Sequence, residues 1–269
     1  MPQVTLSPHR SSRPLLEVSG VTKSYGGLHV LTDVGLEVGI QERVSLIGSN
    51  GAGKTTLFNI ITRLEQPDAG SITFDSRDVR KAAPHALGGF GIARTFQHSA
   101  LFSSLTVEQN VAAPLLVSDR VGIASAAARG PRYRSRRKAR TERVRGVLAD
   151  LKLSDVASAP VGRLPYATQR RVEIARAVAM QPKLLILDEP AGGLNKADIQ
   201  DLEALLRRVQ EEYALSLLLI EHNMRFVMGL SDYIYVLDHG ELIAQGDVKS
   251  ISGNQTVIEA YLGKAPEDA

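Results

Sequence analysis

The sequence predicts one α/β domain with a mainly parallel core sheet that is covered by helices on both faces. Short, uninterrupted apolar runs such as Leu184–Leu187 and Leu217–Ile220 are typical of strands buried on both faces. From about residue 183 onward these runs alternate with helical segments, which is the pattern of α/β proteins. In addition, a glycine-rich loop at Gly48–Gly53 joins an apolar strand directly to an amphipathic helix. With 269 residues, 43% of them hydrophobic, the chain can build a packed core.

The part of the chain before this alternating region is predicted to form an N-terminal β layer and a helical insert. Val30–Val38 alternates in the manner of a half-buried strand. Residues 98–165 are mainly helical in pattern, and Thr106 precedes one candidate helix. The predicted strands are Leu15–Val21, Val30–Val38, Arg43–Ile47, Ser71–Asp75, Leu184–Leu187, Ser216–Ile220 and Tyr233–Leu237. The predicted helices are Lys54–Leu64, Ser135–Leu151, Gln169–Ala177, Lys196–Tyr213 and Asn223–Leu230.

Composition excludes several classes of function. No stretch approaches the roughly 18 consecutive apolar residues of a membrane-spanning helix, so we expect the chain not to cross a bilayer by itself. The absence of cysteine excludes disulfides and thiolate metal sites. A net charge of +3 is compatible with an anionic ligand, a membrane surface or nucleic acid and does not choose among them. Residues 1–13 lack the apolar stretch of a secretory signal, which predicts a cytosolic protein with mobile tails at 1–13 and 265–269 around one domain at 14–264.

The glycine-rich loop satisfies the pattern G-x-x-x-x-G-K-[ST] between a strand and a helix. Glycines let the backbone wrap around phosphate oxygens, while amide N–H groups and the helix dipole attract negative charge. In this interpretation Lys54 bridges phosphates and Thr55 ligates magnesium. The alternative is a glycine turn that merely starts a helix, but the Lys-Thr pair and the flanking elements favour a nucleotide. The predicted phosphate-binding residues are Gly48, Ser49, Asn50, Gly51, Ala52, Gly53, Lys54, Thr55 and Thr56.

Two carboxylates follow the apolar run Leu184–Leu187 and precede Pro190. This is the end of a buried strand, where an open α/β sheet builds its ligand site. Asp188 is therefore predicted to hold magnesium directly or through a water, and Glu189 to act as the general base that polarises the attacking water. A solvated Asp-Glu-Pro turn without chemistry is the alternative, and the upstream phosphate loop argues against it.

With both motifs in place, the sequence resembles the nucleotide-binding subunits of ABC transporters from about Leu15 to Gly263. The resemblance implies a P-loop NTPase with the ABC-type fold, including an N-terminal antiparallel β layer, and an ATPase that uses ATP and Mg²⁺. It also implies that Tyr25 of KSYGG stacks on adenine, that Gln97 of GIARTFQ couples magnesium to the membrane partner, and that His222 of LLIEHN contacts the γ-phosphate. The alternatives are an ordinary strand-end tyrosine, a surface amide and a satisfied histidine.

A closer resemblance is carried by GIARTFQ, IEHNMRFVMGLSDYIYVLDHGELIAQGD and VIEAYLG. These segments are similar to the ATPase subunits of branched-chain amino acid importers and of the related urea or short-chain amide importers. The resemblance implies a dimer with a second, identical or related, ATPase subunit, two transmembrane permease subunits and an extracytoplasmic solute-binding protein. It implies a location on the cytoplasmic inner face of the cell membrane, and no nucleic-acid partner is expected.

The signature segment of the family, usually Leu-Ser-Gly-Gly-Gln, is altered in this chain. In the family this segment contacts the γ-phosphate held by the other chain of a dimer. Pro165 lacks the hydroxyl and the N–H of serine, and Ala167 adds a methyl group where glycine permits close approach. We therefore hypothesise that the composite site formed by this segment is the weaker one of a heterodimer. The segment reads Leu164, Pro165, Tyr166, Ala167 and Thr168.

Two other patterns have simpler interpretations. Asn195–Asp198 fits the guanine-reading N-K-x-D pattern, but it follows the Asp-Glu strand at once and begins a helix, where Asn195 and Asp198 suit capping. The basic run Arg129–Arg145 contains one tyrosine, Tyr133, and no nucleic-acid-binding fold, so it is interpreted as a solvated helix face. Contact of that run with anionic lipid headgroups is the second interpretation.

Two functions compete with a transporter ATPase. A soluble ABC-type ATPase acting on ribosomes or nucleic acid could use the same phosphate loop, but such proteins usually carry two cassettes or a long coiled coil, and this sequence has neither. A hydrolysis-impaired regulatory subunit is suggested by the altered signature, and Glu189 and His222 argue against it.

Overall fold

The computed structural model describes residues 13–95, 101–118, 131–255 and 257, which form two β-sheets with helices packed against them. The strands are β1 (Leu16–Tyr25), β2 (Leu28–Val38), β3 (Arg43–Gly48), β4 (Ala69–Phe74), β5 (Arg77–Asp78), β6 (Ile92–Arg94), β7 (Leu184–Asp188), β8 (Ser216–Ile220), β9 (Tyr233–Asp238) and β10 (Glu241–Gly246). The helices are α1 (Lys54–Ile61), α2 (Leu87–Phe90), α3 (Val107–Ser118), α4 (Pro131–Asp150), α5 (Tyr166–Val178), α6 (Lys196–Glu212), α7 (Met224–Leu230) and α8 (Val248–Ser252).

The larger sheet has the strand order β10-β9-β3-β8-β7-β6, and every neighbouring pair is parallel except β9 and β10. All residues of β7 and β8 are buried, as their uninterrupted apolar runs require. Leu46 of β3 and Asp188 of β7 both pair with Ile220 of β8. The carboxyl ends of these three strands therefore lie side by side at one edge of the sheet.

The smaller sheet is antiparallel, with the strand order β2-β1-β4-β5. Leu16 and Val34 of this sheet belong to the same apolar cluster as Phe58 of α1 and Leu184 of the parallel sheet. Helix α1 places its apolar residues in this cluster because they recur at helical spacing. The two sheets thus share one core with the helix that follows the phosphate loop.

The segment between β6 and α5 contains α3 and α4, as the predicted helical insert requires. Helix α4 carries the described part of the basic run Arg129–Arg145, and the side chains of residues 134–139 are exposed. On its other side, Val144 and Leu148 pack into the core that contains α5 and α6. The exposure of this face is compatible with both the solvated-face and the lipid-contact interpretation, and Arg129 lies outside the described residues.

The predicted strands are all present, with small shifts at their ends. Strands β5 and β6 were missed because they are only two and three residues long, and β10 because its apolar and polar residues do not alternate. The helix predicted at Gln169–Ala177 begins earlier, at Tyr166, because Pro165 takes the N-cap position. No helix within the described ranges has the length and apolar character to span a membrane. Residues 1–12 and 265–269 of the predicted tails lie outside the described residues.

Candidate active site

The strand order brings three predicted motifs to one edge of the parallel sheet. The phosphate loop follows β3, His222 follows β8, and Glu189 follows β7 directly after Asp188. Strands β3, β8 and β7 are adjacent and parallel. Ligand sites of open α/β sheets form at the carboxyl ends of their strands. The motifs that the sequence singled out therefore form one site although they are far apart in the chain.

Glycine is required at two positions of the phosphate loop for reasons of space. A Cβ atom on Gly48 would overlap the carbonyl oxygen of Leu237 on the neighbouring strand. A Cβ atom on Gly53 would lie 2.7 Å from the carbonyl oxygen of Val30, and Gly53 has φ 101°. Gly51 also has a positive φ, of 84°, in open space. Because these glycines carry no side chain, the loop backbone packs closely on its neighbours and its amide groups remain accessible to phosphate oxygens.

Lys54 is buried at the start of α1, and its ammonium group lies inside the phosphate loop. Its Nζ atom donates to the carbonyl oxygens of Gly48 and Ser49, each at 2.7 Å. Burial lowers the pKa of Lys54, and the nearby charge of Glu189 acts in the opposite direction. A partly desolvated cation among backbone amides at a helix N-terminus is suited to the phosphates of a nucleotide.

The predicted magnesium ligands carry oxygen donors, which is the donor type that Mg²⁺ prefers. The Thr55 side chain is exposed in the first turn of α1. Asp188 is buried, and its Oδ2 atom accepts a hydrogen bond of 2.8 Å from Arg94, which is buried as well. The Arg94 guanidinium also donates to Asn59 and Thr62 on α1. The donor set fits a magnesium nucleotide, and Arg94 is a site residue that the sequence reasoning did not single out.

Glu189 and His222 face each other across the carboxyl ends of β7 and β8. The Oε1 atom of Glu189 lies 3.6 Å from Nδ1 of His222, and both side chains are partly exposed. Glu189 has φ 46°, a left-handed conformation that non-glycine residues adopt rarely. This arrangement suits a base next to a reacting phosphate, with the histidine beside it.

Glu221, next to His222, is a buried carboxylate that the sequence reasoning missed. It accepts hydrogen bonds from the backbone N–H groups of Ala191, His222 and Asn223, at 2.7, 3.1 and 3.2 Å. Burial raises the pKa of Glu221, and these hydrogen bonds act in the opposite direction. The available signal was a charged residue directly after the apolar run Leu217–Ile220 of β8. Glu221 connects the turn that follows β7 to the turn that carries His222.

The remaining predicted residues lie at the end of β1, at the start of α5 or outside the described residues. Tyr25 ends β1 with its side chain half exposed, and the Lys23 ammonium lies 5.0 Å from the centre of its ring. The signature segment leads into α5, and its Tyr166 contacts Arg170 of the same helix. Gln97 lies outside the described residues.

The N-K-x-D pattern forms a helix cap. The Asn195 side chain accepts hydrogen bonds from the backbone N–H groups of Ala197 and Asp198, at 2.9 and 3.0 Å, and α6 begins at Lys196. The Asn195 amide also donates to the Asp198 carboxylate. The predicted capping role is confirmed, and a guanine-reading role is not needed to explain these residues.

Comparison with known proteins agrees with this geometry. Residues 31–192 match the ABC transporter family. The chain is 39% identical over 254 residues to the high-affinity branched-chain amino acid transport ATP-binding protein BraF of Pseudomonas aeruginosa, covering 94% of this chain and 100% of that protein. It has the same identity and coverage with the high-affinity branched-chain amino acid transport ATP-binding protein LivG of Escherichia coli.

Solved structures of similar fold carry nucleotide products. The ADP conformation of MJ1267, an ATP-binding cassette of an ABC transporter, matches with a TM-score of 0.80 and 28% identity, over 94% of this chain and 100% of that one. The dimeric post-hydrolysis state of the cassette MJ0796, bound to ADP and Pi, matches with a TM-score of 0.72 and 26% identity, over 87% and 98% of the two chains. This chain therefore belongs to the ABC transporter family and is one of its ATP-binding subunits.

Proposed function

We propose that the chain is the ATP-hydrolysing subunit of an ABC importer for branched-chain amino acids or related small polar solutes such as urea and amides. The observation that carries this proposal is the convergence of the phosphate loop, Asp188, Glu189 and His222 at the carboxyl ends of adjacent parallel strands. The solute class is supported by similarity to BraF and LivG over nearly the whole chain.

In this proposal each side chain has one task in ATP hydrolysis. The amides of the phosphate loop and Lys54 bind the phosphates, and Thr55, Asp188 and Gln97 hold Mg²⁺, which neutralises phosphate charge. Glu189 accepts a proton from the attacking water, and general-base catalysis of this kind contributes about 10²–10⁴-fold in rate. His222 contacts the γ-phosphate from the neighbouring strand end. Tyr25 stacks on the adenine.

The proposed assembly contains a second ATPase subunit, identical or related, two permease subunits and, through them, an extracytoplasmic solute-binding protein. The chain would act as one domain at 14–264, with the helical insert and Gln97 transmitting closure of the ATPase dimer. Its place would be the cytoplasmic face of the membrane. The exposed basic face of α4 is compatible with this placement.

The altered signature is part of the proposal. Ala167 lies in the first turn of α5, the part of a helix whose amide N–H groups lack the usual i→i−4 partners and are suited to bind an anion. A methyl group at this position limits how closely a phosphate held by the partner approaches. We expect Ala167→Gly to raise ATP turnover of the assembled complex; unchanged turnover would contradict a weaker site.

The experiment that tests the proposal is a tagged pull-down of the full chain from detergent-solubilised native membranes, with an assay of Mg-ATP hydrolysis in the eluate. We expect membrane permease subunits, a second ATPase subunit and activity that rises with the transported solute. Glu189→Gln is the matched variant; it should recover the same subunits and bind ATP, with turnover lower by about 10²–10⁴-fold. Recovery of ribosomes or nucleic acid instead would support the soluble ATPase, and full assembly without hydrolysis would support a regulatory subunit.

A further inference from the structure

The helix that follows the signature segment contains a buried arginine. The Arg170 and Glu173 side chains are only 5% and 4% exposed, and Nη1 of Arg170 donates to Oε2 of Glu173 at 2.8 Å. Removing a charge from water is costly, and a pair of this kind often contributes little to stability. Packing alone therefore gives no reason for an arginine at this position.

The second terminal nitrogen of Arg170 reaches the turn Asp188–Ala191, which carries Glu189 and is called the proposed catalytic turn below. Its Nη2 atom donates to the backbone carbonyl oxygen of Glu189 at 3.2 Å and to the phenol oxygen of Tyr166 at 3.1 Å. The guanidinium carbon also lies 5.6 Å from the centre of the Tyr166 ring. The guanidinium group of Arg170 thus connects Tyr166 of the signature segment to Glu189, the proposed general base.

The backbone that Arg170 holds is in a conformation that needs support from its surroundings. Glu189 has φ 46°, a left-handed backbone conformation that is unfavourable for a non-glycine residue. Such a conformation persists only where contacts with neighbouring groups stabilise it. The Glu189 N–H donates to Ile220 of β8, and its carbonyl oxygen accepts from Gly192 as well as from Arg170. The direction of the Glu189 side chain depends on this set of contacts.

Tyr166 also contacts the loop that follows the catalytic turn. A Cβ atom on Gly193 would lie 3.2 Å from Cε1 of the Tyr166 ring, so the ring packs directly on the backbone of this loop. Gly193 has φ 74°, which suits glycine. The signature tyrosine is therefore in contact with the turn through Arg170 and with the loop through Gly193.

We propose that Arg170 is a positioning residue that fixes Glu189 and makes its position depend on the signature segment of the same chain. The inference rests on the proposed function and deepens it. In an ATPase dimer the signature segment serves the nucleotide held by the partner, whereas Glu189 serves the nucleotide held by its own chain. The Tyr166–Arg170–Glu189 connection would link the two sites within one subunit.

Arg170→Lys tests this proposal in the complex assembled with its partner subunits. Lysine keeps a positive charge for Glu173 but lacks the planar fork that also bridges Tyr166 and the Glu189 carbonyl. We expect kcat for Mg-ATP hydrolysis to fall about 10–10²-fold, because small displacements of catalytic groups have effects of this size. The KM for ATP should stay within about twofold, since the phosphate loop is untouched.

Hydrogen exchange of the full-length chain provides a readout that does not depend on activity. In Arg170→Lys, the backbone amides of Glu189 and of residues 191–195 should exchange faster, while those of residues 202–209 in α6 should not change; Pro190 has no amide hydrogen. Arg207→Lys is the matched control, because Arg207 makes the same type of ion pair with Glu203 on a more exposed face of α6. It should alter neither kcat nor exchange at residues 189–195.

Tyr166→Phe is the second variant and keeps the experiment decisive if Arg170→Lys does not fold. It retains the ring against Gly193 and removes only the phenol oxygen, so we expect a smaller fall in kcat and faster exchange at residues 189–195. Wild-type kcat and exchange in both variants, or a raised KM at unchanged kcat, would overturn the proposal. If the wild-type complex hydrolyses no ATP, the proposed function fails, whereas the exchange comparison still decides whether Arg170 holds the turn.

Discussion

The phosphate loop and the proposed catalytic turn, Asp188–Ala191, lie at the ends of parallel strands of one sheet, but their shapes have different origins. The loop is shaped by its own glycines, which leave room for the carbonyl oxygens of Leu237 and Val30. The turn from Asp188 to Ala191 is held instead by side chains from other elements. A short sequence pattern is thus enough to specify a phosphate-binding loop. The orientation of Glu189, the proposed general base, depends instead on the surrounding fold.

The three side chains that hold the catalytic turn are buried and charged, and they come from three directions. Arg94 of β6 binds the Asp188 carboxylate, Arg170 of α5 binds the Glu189 carbonyl, and Glu221 after β8 binds the Ala191 N–H. Substitutions in the loop should therefore act through steric overlap and strain. Substitutions around the turn should act through unpaired buried charge.

The largest effect on stability is expected for Arg94→Met. It removes the cation that faces Asp188 while both side chains are buried, at 7% and 4% exposure. Removing one partner of a buried ion pair typically costs about 3–5 kcal/mol of unfolding free energy. Urea unfolding of the nucleotide-free chain at neutral pH measures this change. A matched control is Arg80→Met, whose partner Asp78 is exposed; exposed ion pairs contribute little to stability, so there the loss should be much smaller. Equal losses of unfolding free energy in the two variants would contradict the expected difference between a buried and an exposed ion pair.

A smaller loss of stability, together with loss of ATP binding, is expected for Gly48→Ala. The added methyl group overlaps the Leu237 carbonyl oxygen, and overpacking of this kind typically costs about 1–3 kcal/mol. Thermal unfolding and ATP titration of the isolated chain measure both quantities. Gly51→Ala is the comparison, because its Cβ would meet nothing within 4 Å and only the strain of φ 84° remains. If Gly51→Ala impaired stability more than Gly48→Ala, steric overlap would not be what requires glycine in this loop.

A pH-dependent difference in the free energy of unfolding is expected for Glu221→Gln. Burial raises the pKa of Glu221 above its ordinary value of 4.5, so the folded chain binds this proton more tightly than the unfolded chain. The contribution of Glu221 to stability is therefore greatest below pH 4.5 and falls as pH rises through the folded-state pKa. The unfolding free energy of the wild type minus that of the variant should decrease as the pH rises above 4.5. A difference that is constant or increases with pH would contradict the predicted fall in the contribution of Glu221 to stability.

The smallest effect is expected for Tyr25→Leu. Stacking of an aromatic ring contributes about 1 kcal/mol, so the Kd for ATP should rise about fivefold without a change in stability. Tyr25→Phe keeps the ring and should bind as the wild type does. Unchanged affinity in Tyr25→Leu would favour the alternative of an ordinary strand-end tyrosine and leave adenine recognition to other residues.

The sequence by itself determined the motifs and secondary-structure elements that are each encoded in one short stretch of residues. The pattern at Gly48–Thr55, the carboxylates after β7 and the apolar runs of β7 and β8 each occupy one short stretch, so their chemistry and periodicity can be read directly. The cap at Asn195 belongs to the same class, because its side chain bonds amides two and three residues further on.

Only the tertiary structure decided which side chains hold the catalytic turn. Arg94 lies 94 residues from Asp188, Arg170 lies 19 residues from Glu189, and Glu221 lies 30 residues from Ala191. Contacts across such separations leave no periodic pattern, and each of these residues is, by type alone, more typical of the surface. Their burial follows from the strand order β3-β8-β7-β6 and from the docking of α5, which depend on the packing of the whole chain.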